Sequence, residues 1–157
     1  MMTLCSEVLK ALRGRTLATA ESLTGGGIGN AITAVPGSSS VFKGGIISYC
    51  NEIKHALLGV DAAILDSLGP VSAPVAQQMA VGARKAMGAD VAVSVTGLAG
   101  PGGDEFGNSQ GTVYIGYADD RVVISQKNLF VGDRESVRRQ TVEAALRLVL
   151  DRNTIGD

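Results

Sequence analysis

The sequence predicts a three-layer α/β/α sandwich built on a mixed sheet of mainly five strands. Helical and strand patterns alternate through roughly the first hundred residues, an order that places helices on both faces of one sheet. Two later apolar runs are joined only by Asp119-Asp120, which predicts a C-terminal antiparallel hairpin. Because 157 residues can bury a core without disulfides or metals, we expect one domain over residues 1–157.

Each element follows from apolar periodicity and from the residues that begin or end helices and strands. Helices show apolar residues three and four positions apart, while strands are short apolar runs. In chain order, the sequence first predicts a helix over 4–12, a buried strand over 16–20, a helix from residue 23, and a strand over 41–49 with a bulge or close contact at Gly44-Gly45. It then predicts a helix over 51–58, a short helix capped by Asp61, and a longer helix that begins after Ser72 and ends at Gly88. The last elements are a strand over 90–96 buried on both faces, hairpin strands over 111–118 and 121–130, and a helix from Asp133 to about residue 150.

Composition narrows the class of protein. A net charge of -1 and a pI near 5.8 give no general electrostatic reason to bind nucleic acid or an anionic membrane. Only Cys5 and Cys50 are present, which indicates a reducing compartment. Because the N-terminus lacks a signal-peptide pattern and no run approaches membrane-spanning length, we expect a cytoplasmic protein.

The most informative segment is Thr19-Ala20-Glu21-Ser22-Leu23-Thr24-Gly25-Gly26-Gly27, where a serine separates a predicted strand from a glycine-rich helix start. The first amides of a helix and its dipole favour an oxyanion or a phosphate, so Ser22 lies where a nucleophile would lie. The glycines remove Cβ atoms that would block close approach. From this segment alone, a simple N-cap at Ser22 or Thr24 stays open as the alternative.

A second candidate group is Tyr49 with Lys54. Tyr49 ends the second strand and Lys54 lies about one helical turn beyond Asn51, so both can reach the same end of the sheet as Ser22. A lysine acts as a general base when burial or a nearby cation lowers its pKa, and Tyr49 would then hold or relay the proton. The alternatives are a solvated helix lysine and a half-buried strand aromatic.

A third candidate is the glycine-rich loop that follows the third strand, Thr96-Gly97-Leu98-Ala99-Gly100-Pro101-Gly102-Gly103. Loops at the carboxyl ends of buried strands bind ligands in open α/β sheets, and free amides there can hold an oxyanion or a phosphate. The loop matches neither the dinucleotide fingerprint nor the Walker loop. A turn-rich surface loop is the alternative.

Seven motifs in order carry a resemblance to a known family. They are Ala20-Glu21-Ser22-Leu23-Thr24-Gly25-Gly26, Pro36-Gly37-Ser38-Ser39, Tyr49-Cys50-Asn51-Glu52-Ile53-Lys54, Leu58-Gly59-Val60, Val95-Thr96-Gly97-Leu98-Ala99-Gly100-Pro101-Gly102-Gly103, Gly111-Thr112-Val113-Tyr114 and Gly132-Asp133-Arg134. Together they resemble the CinA carboxy-terminal domain family, the nicotinamide-nucleotide amidohydrolases, over nearly the whole chain. This chain would be the stand-alone form.

The resemblance implies hydrolysis of the carboxamide of nicotinamide mononucleotide, which gives nicotinic acid mononucleotide and ammonia in pyridine-nucleotide recycling. It implies that Ser22 is the nucleophile and that an ester forms on it as the intermediate. Lys54 would be the general base, and Tyr49 would bridge or orient the two residues. The implied substrate-binding residues are Thr24, Gly25, Gly26, Thr96, Gly97 and Arg134. An arginine at the start of the last helix suits a bidentate phosphate contact, whereas Arg138 and Arg139 are equally well explained as solvated helix residues.

Three places depart from the family pattern. Leu23, Cys50 and residues 108–110 (Asn-Ser-Gln) stand where the family commonly has cysteine, serine and a Lys-Pro-Val run. None of these differences removes a proposed catalytic group, but they can change the catalytic efficiency, the nucleotide preference and the entrance for the substrate. We expect no metal and no cofactor, since the sole histidine, His55, lacks a cluster of ligands at suitable spacing, and a catalytic role for it is the minority reading.

Two other functions stay open. One is a module that binds a mononucleotide without turnover, for example a competence- or damage-related regulatory partner; the other is an amidase for a different small amide. Retention of serine, tyrosine and lysine together favours the enzyme. The 45% hydrophobic content permits a homo-oligomer, with a dimer favoured.

Overall fold

The structure is a computed structural model that describes residues 1–154. Within these residues the chain forms five strands and six α-helices. The strands are β1 (Leu17–Glu21), β2 (Phe42–Ile47), β3 (Val91–Gly97), β4 (Thr112–Ala118) and β5 (Val123–Leu129). The helices are α1 (Met2–Ala11), α2 (Gly27–Thr33), α3 (Asn51–Leu58), α4 (Ala62–Leu68), α5 (Ala73–Met87) and α6 (Arg134–Asn153). The last three residues of the expected single domain lie outside the described residues.

The strands form one mixed sheet in the order β2-β1-β3-β4-β5. Strand β1 pairs in parallel with β2 and β3, whereas β3 with β4 and β4 with β5 are antiparallel. The predicted mixed sheet with a terminal hairpin is therefore confirmed. Its connection spans residues 119–122 rather than the two predicted residues, because the Asp119 carboxylate accepts hydrogen bonds from the amides of Arg121 and Val122 and stabilises a longer turn.

Helices cover both faces of the sheet, which confirms the three-layer sandwich. On one face, α1, α2 and α6 pack on large side chains of the strands, such as Leu17, Val93 and Ile115. On the other, α3, α4 and α5 pack on the small residues Ala18 and Ala92. The first six residues of β3 are buried, as predicted for a strand covered on both faces.

The glycine pair in β2 has the predicted effect. The pairing of β1 with β2 shifts by one residue between Leu17 and Ala18, so Lys43 is bulged out. A Cβ atom at Gly45 would overlap the Thr19 hydroxyl, so this position requires glycine for close backbone approach.

No helix within residues 1–154 is both long and apolar enough to cross a membrane. The parallel strands β1, β2 and β3 end at the same edge of the sheet. This shared edge brings together the segments that follow them, and there the candidate site lies.

Candidate active site

Ser22 and Lys54 meet at the carboxyl edge of the parallel strands. Ser22 directly follows β1, while Lys54 projects from the first turn of α3, the helix that follows β2. The Lys54 Nζ atom lies 3.0 Å from the Ser22 Oγ atom. Both side chains are buried, and only 1% of Lys54 is exposed. A buried amine thus contacts a serine hydroxyl directly, which is the geometry of a general base and its nucleophile.

The environment of Lys54 disfavours its charged form. Burial lowers the pKa of Lys54 from 10.5 to about 8, and the smaller electrostatic effect of the nearby Cys50 side chain acts in the opposite direction. Nζ also donates a hydrogen bond to the main-chain carbonyl of Ser48. With a pKa of about 8, about a tenth of the amine is neutral at pH 7, and the neutral amine can accept a proton from the serine.

The turn after Ser22 is organised by Glu21, which the sequence-based interpretation overlooked. The helix predicted from residue 23 begins at Gly27, and its cap position, Gly26, makes no side-chain hydrogen bond, so the alternative of a simple N-cap at Ser22 or Thr24 does not hold. The Glu21 carboxylate, 2% exposed, instead accepts the amides of Ile28 (2.8 Å) and Gly29 (3.1 Å). These two helix amides are therefore paired with Glu21 and are not free to hold an oxyanion.

A cavity of about 290 Å³ opens beside the serine and lysine. Its wall includes Leu23, the 70–71 segment and the glycine-rich loop 97–103. Within residues 1–154, the main-chain N–H groups of Leu23, Ala99 and Gly100 have no acceptor. Leu23, Ala99 and Gly100 belong to the cavity lining, so their amides are candidate donors to an oxyanion.

Tyr49 and Arg134 form the rim of the same cavity. Tyr49 is 63% exposed, and its hydroxyl accepts a hydrogen bond from the Arg134 guanidinium at 3.0 Å. Arg134, the first residue of α6, also donates to the carbonyl of Gly100. Because Lys54 contacts Ser22 directly, no gap between them requires a bridging tyrosine; the structure instead pairs Tyr49 with the arginine.

The other predicted substrate-binding residues fall into two groups. Thr96 and Gly97 line the cavity, but the Thr96 hydroxyl donates to the carbonyl of Pro70 at 2.7 Å and so fixes the cavity wall. Thr24, Gly25 and Gly26 do not line it. The Thr24 hydroxyl donates to the Glu21 carboxylate, and both glycines have the positive φ values that the turn requires.

The altered residues 108–110 tie the cavity wall together. Gln110 accepts the amide of Gly102 and donates to the carbonyl of Gly132, and Asn108 donates to the carbonyl of Val71. His55 lies outside the cavity lining, where its Nδ1 contacts the carbonyl of Val60 at 2.8 Å. The serine therefore has lysine, not histidine, as its basic neighbour.

A larger cavity, of about 480 Å³, lies at the other end of the sheet. It is lined by residues that precede β1, by the hairpin turn and by the end of α6, including Arg15, Arg121 and Arg152. Among residues 1–154, its lining contains no serine, cysteine or lysine. The candidate active site is therefore the smaller cavity, which lies beside the pair of Ser22 and Lys54.

The fold and site define an α/β/α protein with a buried serine-lysine pair at the sheet edge. The model of the CinA C-terminal domain matches residues 1–152, and the chain belongs to that family, as the motifs predicted. It is 48% identical to the nicotinamide-nucleotide amidohydrolase PncC of Pseudomonas putida, over 87% of this chain and 85% of that protein.

Two further comparisons agree with this family. A CinA-like protein of Gloeothece citriformis is 52% identical over 74% of this chain, which spans only 28% of that relative's length. The crystal structure of a competence damage-inducible protein A from Klebsiella pneumoniae superposes with a TM-score of 0.93 at 34% identity, covering 96% of this chain and 95% of that one.

Proposed function

We propose that this protein hydrolyses the carboxamide of nicotinamide mononucleotide to nicotinic acid mononucleotide and ammonia, within pyridine-nucleotide recycling. The observation that carries the proposal is the buried Lys54 amine 3.0 Å from the Ser22 hydroxyl, beside a cavity with free amides. The name of the Pseudomonas putida relative, a nicotinamide-nucleotide amidohydrolase, supports the substrate class.

Catalysis begins when neutral Lys54 takes the proton of Ser22 as Oγ attacks the carboxamide carbon. The resulting oxyanion accepts hydrogen bonds from the cavity amides of Leu23, Ala99 and Gly100. Protonated Lys54 then returns the proton to the departing nitrogen, so ammonia leaves and an ester remains on Ser22. Water, deprotonated by Lys54, then attacks this ester. As the bond between the acyl carbon and Oγ breaks, Lys54 returns the proton to Ser22 Oγ, and the acid is released.

The phosphate of the substrate binds at the rim of the cavity. Arg134 provides the planar donor group that suits a phosphate, and Tyr49 orients this guanidinium through its hydroxyl. Thr96 and Gly97 form the wall against which the ring packs. Thr24, Gly25 and Gly26 act on the substrate indirectly, by shaping the turn that carries Ser22.

The test is ammonia release from nicotinamide mononucleotide without added metal, by the wild type and by Ser22→Ala and Lys54→Met. Ser67→Ala and Lys85→Met, at exposed positions on the helices α4 and α5, are the matched controls. We expect release by the wild type and both controls, and none above background by the two site variants. Nucleotide binding without release by the wild type would instead identify a non-catalytic binding module. Release from another amide alone would identify a different amidase.

We also propose that the protein is a cytoplasmic homodimer that does not bind nucleic acid. Two free cysteines, one buried and one exposed, suit the reducing cytoplasm, and a net charge of -1 gives no basis for binding nucleic acid. The exposed apolar side chains of Leu129 (64%) and Val131 (85%) favour a homodimer. Light scattering of the purified protein measures this directly; a monomeric mass would contradict it.

A further inference from the structure

Two charged side chains hydrogen-bond to the turn that carries Ser22 and to the helix that follows it. The Glu21 carboxylate accepts the Thr24 hydroxyl at 2.7 Å and the amides of Ile28 and Gly29 in α2. Arg138, from the second turn of α6, donates from Nε to the Leu23 carbonyl at 2.9 Å and from Nη2 to the Thr24 carbonyl at 3.3 Å. We call these two residues the turn clamp.

The turn needs such support because its own sequence is flexible. Gly25 and Gly26 both have positive φ values, and three consecutive glycines have the largest backbone freedom in the unfolded and locally opened states. Two main-chain hydrogen bonds, from Gly25 to the Ser22 carbonyl and from Gly27 to the Thr24 carbonyl, close it locally. The carbonyls of Leu23 and Thr24 are the acceptors of Arg138.

We propose that Glu21 and Arg138 are positioning residues that keep the Ser22 hydroxyl against Lys54 and the Leu23 amide beside the cavity. The inference rests on the proposed role of Ser22 as nucleophile. Arg138 then has a different role from Arg134. The Arg138 guanidinium donates hydrogen bonds to main-chain carbonyls, whereas Arg134 lines the cavity where the substrate binds. Release of the turn therefore lowers turnover, not affinity for the nucleotide.

The size of the effect follows from how strictly acyl transfer depends on geometry. A misplacement of about 1 Å at a reacting atom costs up to about 100-fold in rate. Arg138→Ala removes one side of the clamp and leaves the Glu21 side in place. We expect kcat to fall about 10- to 100-fold with KM changed less than about twofold.

The experiment compares Arg138→Ala and Arg138→Lys with Arg139→Ala, a change at the adjacent exposed arginine, which donates no hydrogen bond to the turn. Kinetics of ammonia release give kcat and KM, thermal unfolding reports the folded fraction, and guanidinium at a low, non-denaturing concentration supplies the missing group. We expect Arg139→Ala to match the wild type, Arg138→Lys to retain intermediate kcat, and guanidinium to raise the kcat of Arg138→Ala.

Several outcomes would overturn the clamp. Wild-type kcat in Arg138→Ala shows that the turn holds itself, and a raised KM with unchanged kcat identifies a substrate ligand instead. A purely structural role would give a different result. Both Arg138→Ala and Arg138→Lys would then lose activity equally and only in proportion to their loss of folded protein, and guanidinium would not restore it. Ser22→Ala, measured in parallel, separates the two proposals: its full activity refutes the nucleophile, whereas an inactive Ser22→Ala beside a fully active Arg138→Ala refutes only the clamp.

Discussion

The pH dependence of kcat/KM is expected to report the unusual environment of Lys54. Burial lowers the pKa of Lys54 from 10.5 to about 8. The neutral amine is then about a tenth of the total at pH 7 and about nine tenths at pH 9. We therefore expect kcat/KM to rise about tenfold over this interval and then to level off, because the proposed mechanism requires the neutral amine as the base in the free enzyme. A lysine with an ordinary pKa would give about a 100-fold rise that continues beyond pH 9.

The assay measures ammonia release at low nucleotide concentration and constant ionic strength between about pH 6 and pH 10. The exposed Lys85, changed to Met, serves as the control and should reproduce the wild-type profile. A profile that is flat across this range would refute Lys54 as the base. A slope that continues without a plateau would refute the effect of burial on its pKa.

The same lowered pKa predicts how stability depends on pH. Between about pH 8 and pH 10.5, Lys54 is neutral in the folded protein but protonated in the unfolded chain. The unfolded state binds the extra proton, so the free energy of unfolding rises with pH across this window, by about 3 kcal/mol in total from this group. Below about pH 8, Lys54 is protonated in both the folded and the unfolded state, so its effect on the free energy of unfolding no longer changes with pH. Denaturant titrations of Lys54→Met should lack this rise, and an equal rise in that variant would contradict the assignment.

Three other substitutions have expected outcomes. Arg134→Ala should raise KM more than it lowers kcat in the ammonia assay, since its proposed role is to bind the phosphate of the substrate. Glu21→Gln should lower the free energy of unfolding by about 1–3 kcal/mol, measured with urea, because each carboxylate oxygen accepts a main-chain amide and the new NH₂ group must face one of them. Gly82→Ala should cost about 1–3 kcal/mol and reduce kcat, because its Cβ atom would overlap the carbonyl of Leu58 and displace the helix that carries Lys54.

Matched changes at exposed sites control for nonspecific effects. Arg121→Ala and Glu7→Gln remove the same type of residue as two of these variants, and Val81→Ala introduces alanine at the neighbouring, exposed position of α5. All three positions lie away from the cavity beside Ser22. Each should leave KM and stability near wild type. A large kcat loss at unchanged KM in Arg134→Ala, or wild-type stability in either of the other two variants, would contradict the corresponding argument.

Short-range signals were sufficient for most of the fold. Asp61, predicted as a cap, and Ser72 and Asp133, predicted at the starts of helices, each accept a main-chain amide in the first turn of a helix. Such bonds join residues two or three positions apart, so their pattern is visible in the sequence. The all-buried strand, the bulge at the glycine pair and the family motifs are likewise local features, and the structure or the comparisons confirm them.

Local patterns alone could not identify what holds the catalytic turn. The start of α2 was misplaced because the carboxylate that accepts its early amides belongs to Glu21, a strand residue seven positions before Ile28, and not to a residue at the cap position. Arg138 reaches the Leu23 carbonyl across 115 positions of sequence, so its periodicity on α6 indicated only a helix residue.

The sequence by itself determined the family, the layers and the candidate reactive groups of this protein. Only the tertiary structure decided that Lys54 is buried against Ser22, that Tyr49 pairs with Arg134 and that Thr24 faces Glu21. A side chain's pKa and partners depend on which distant segments exclude water around it, and that arrangement exists only once the sheet has brought its strand ends together.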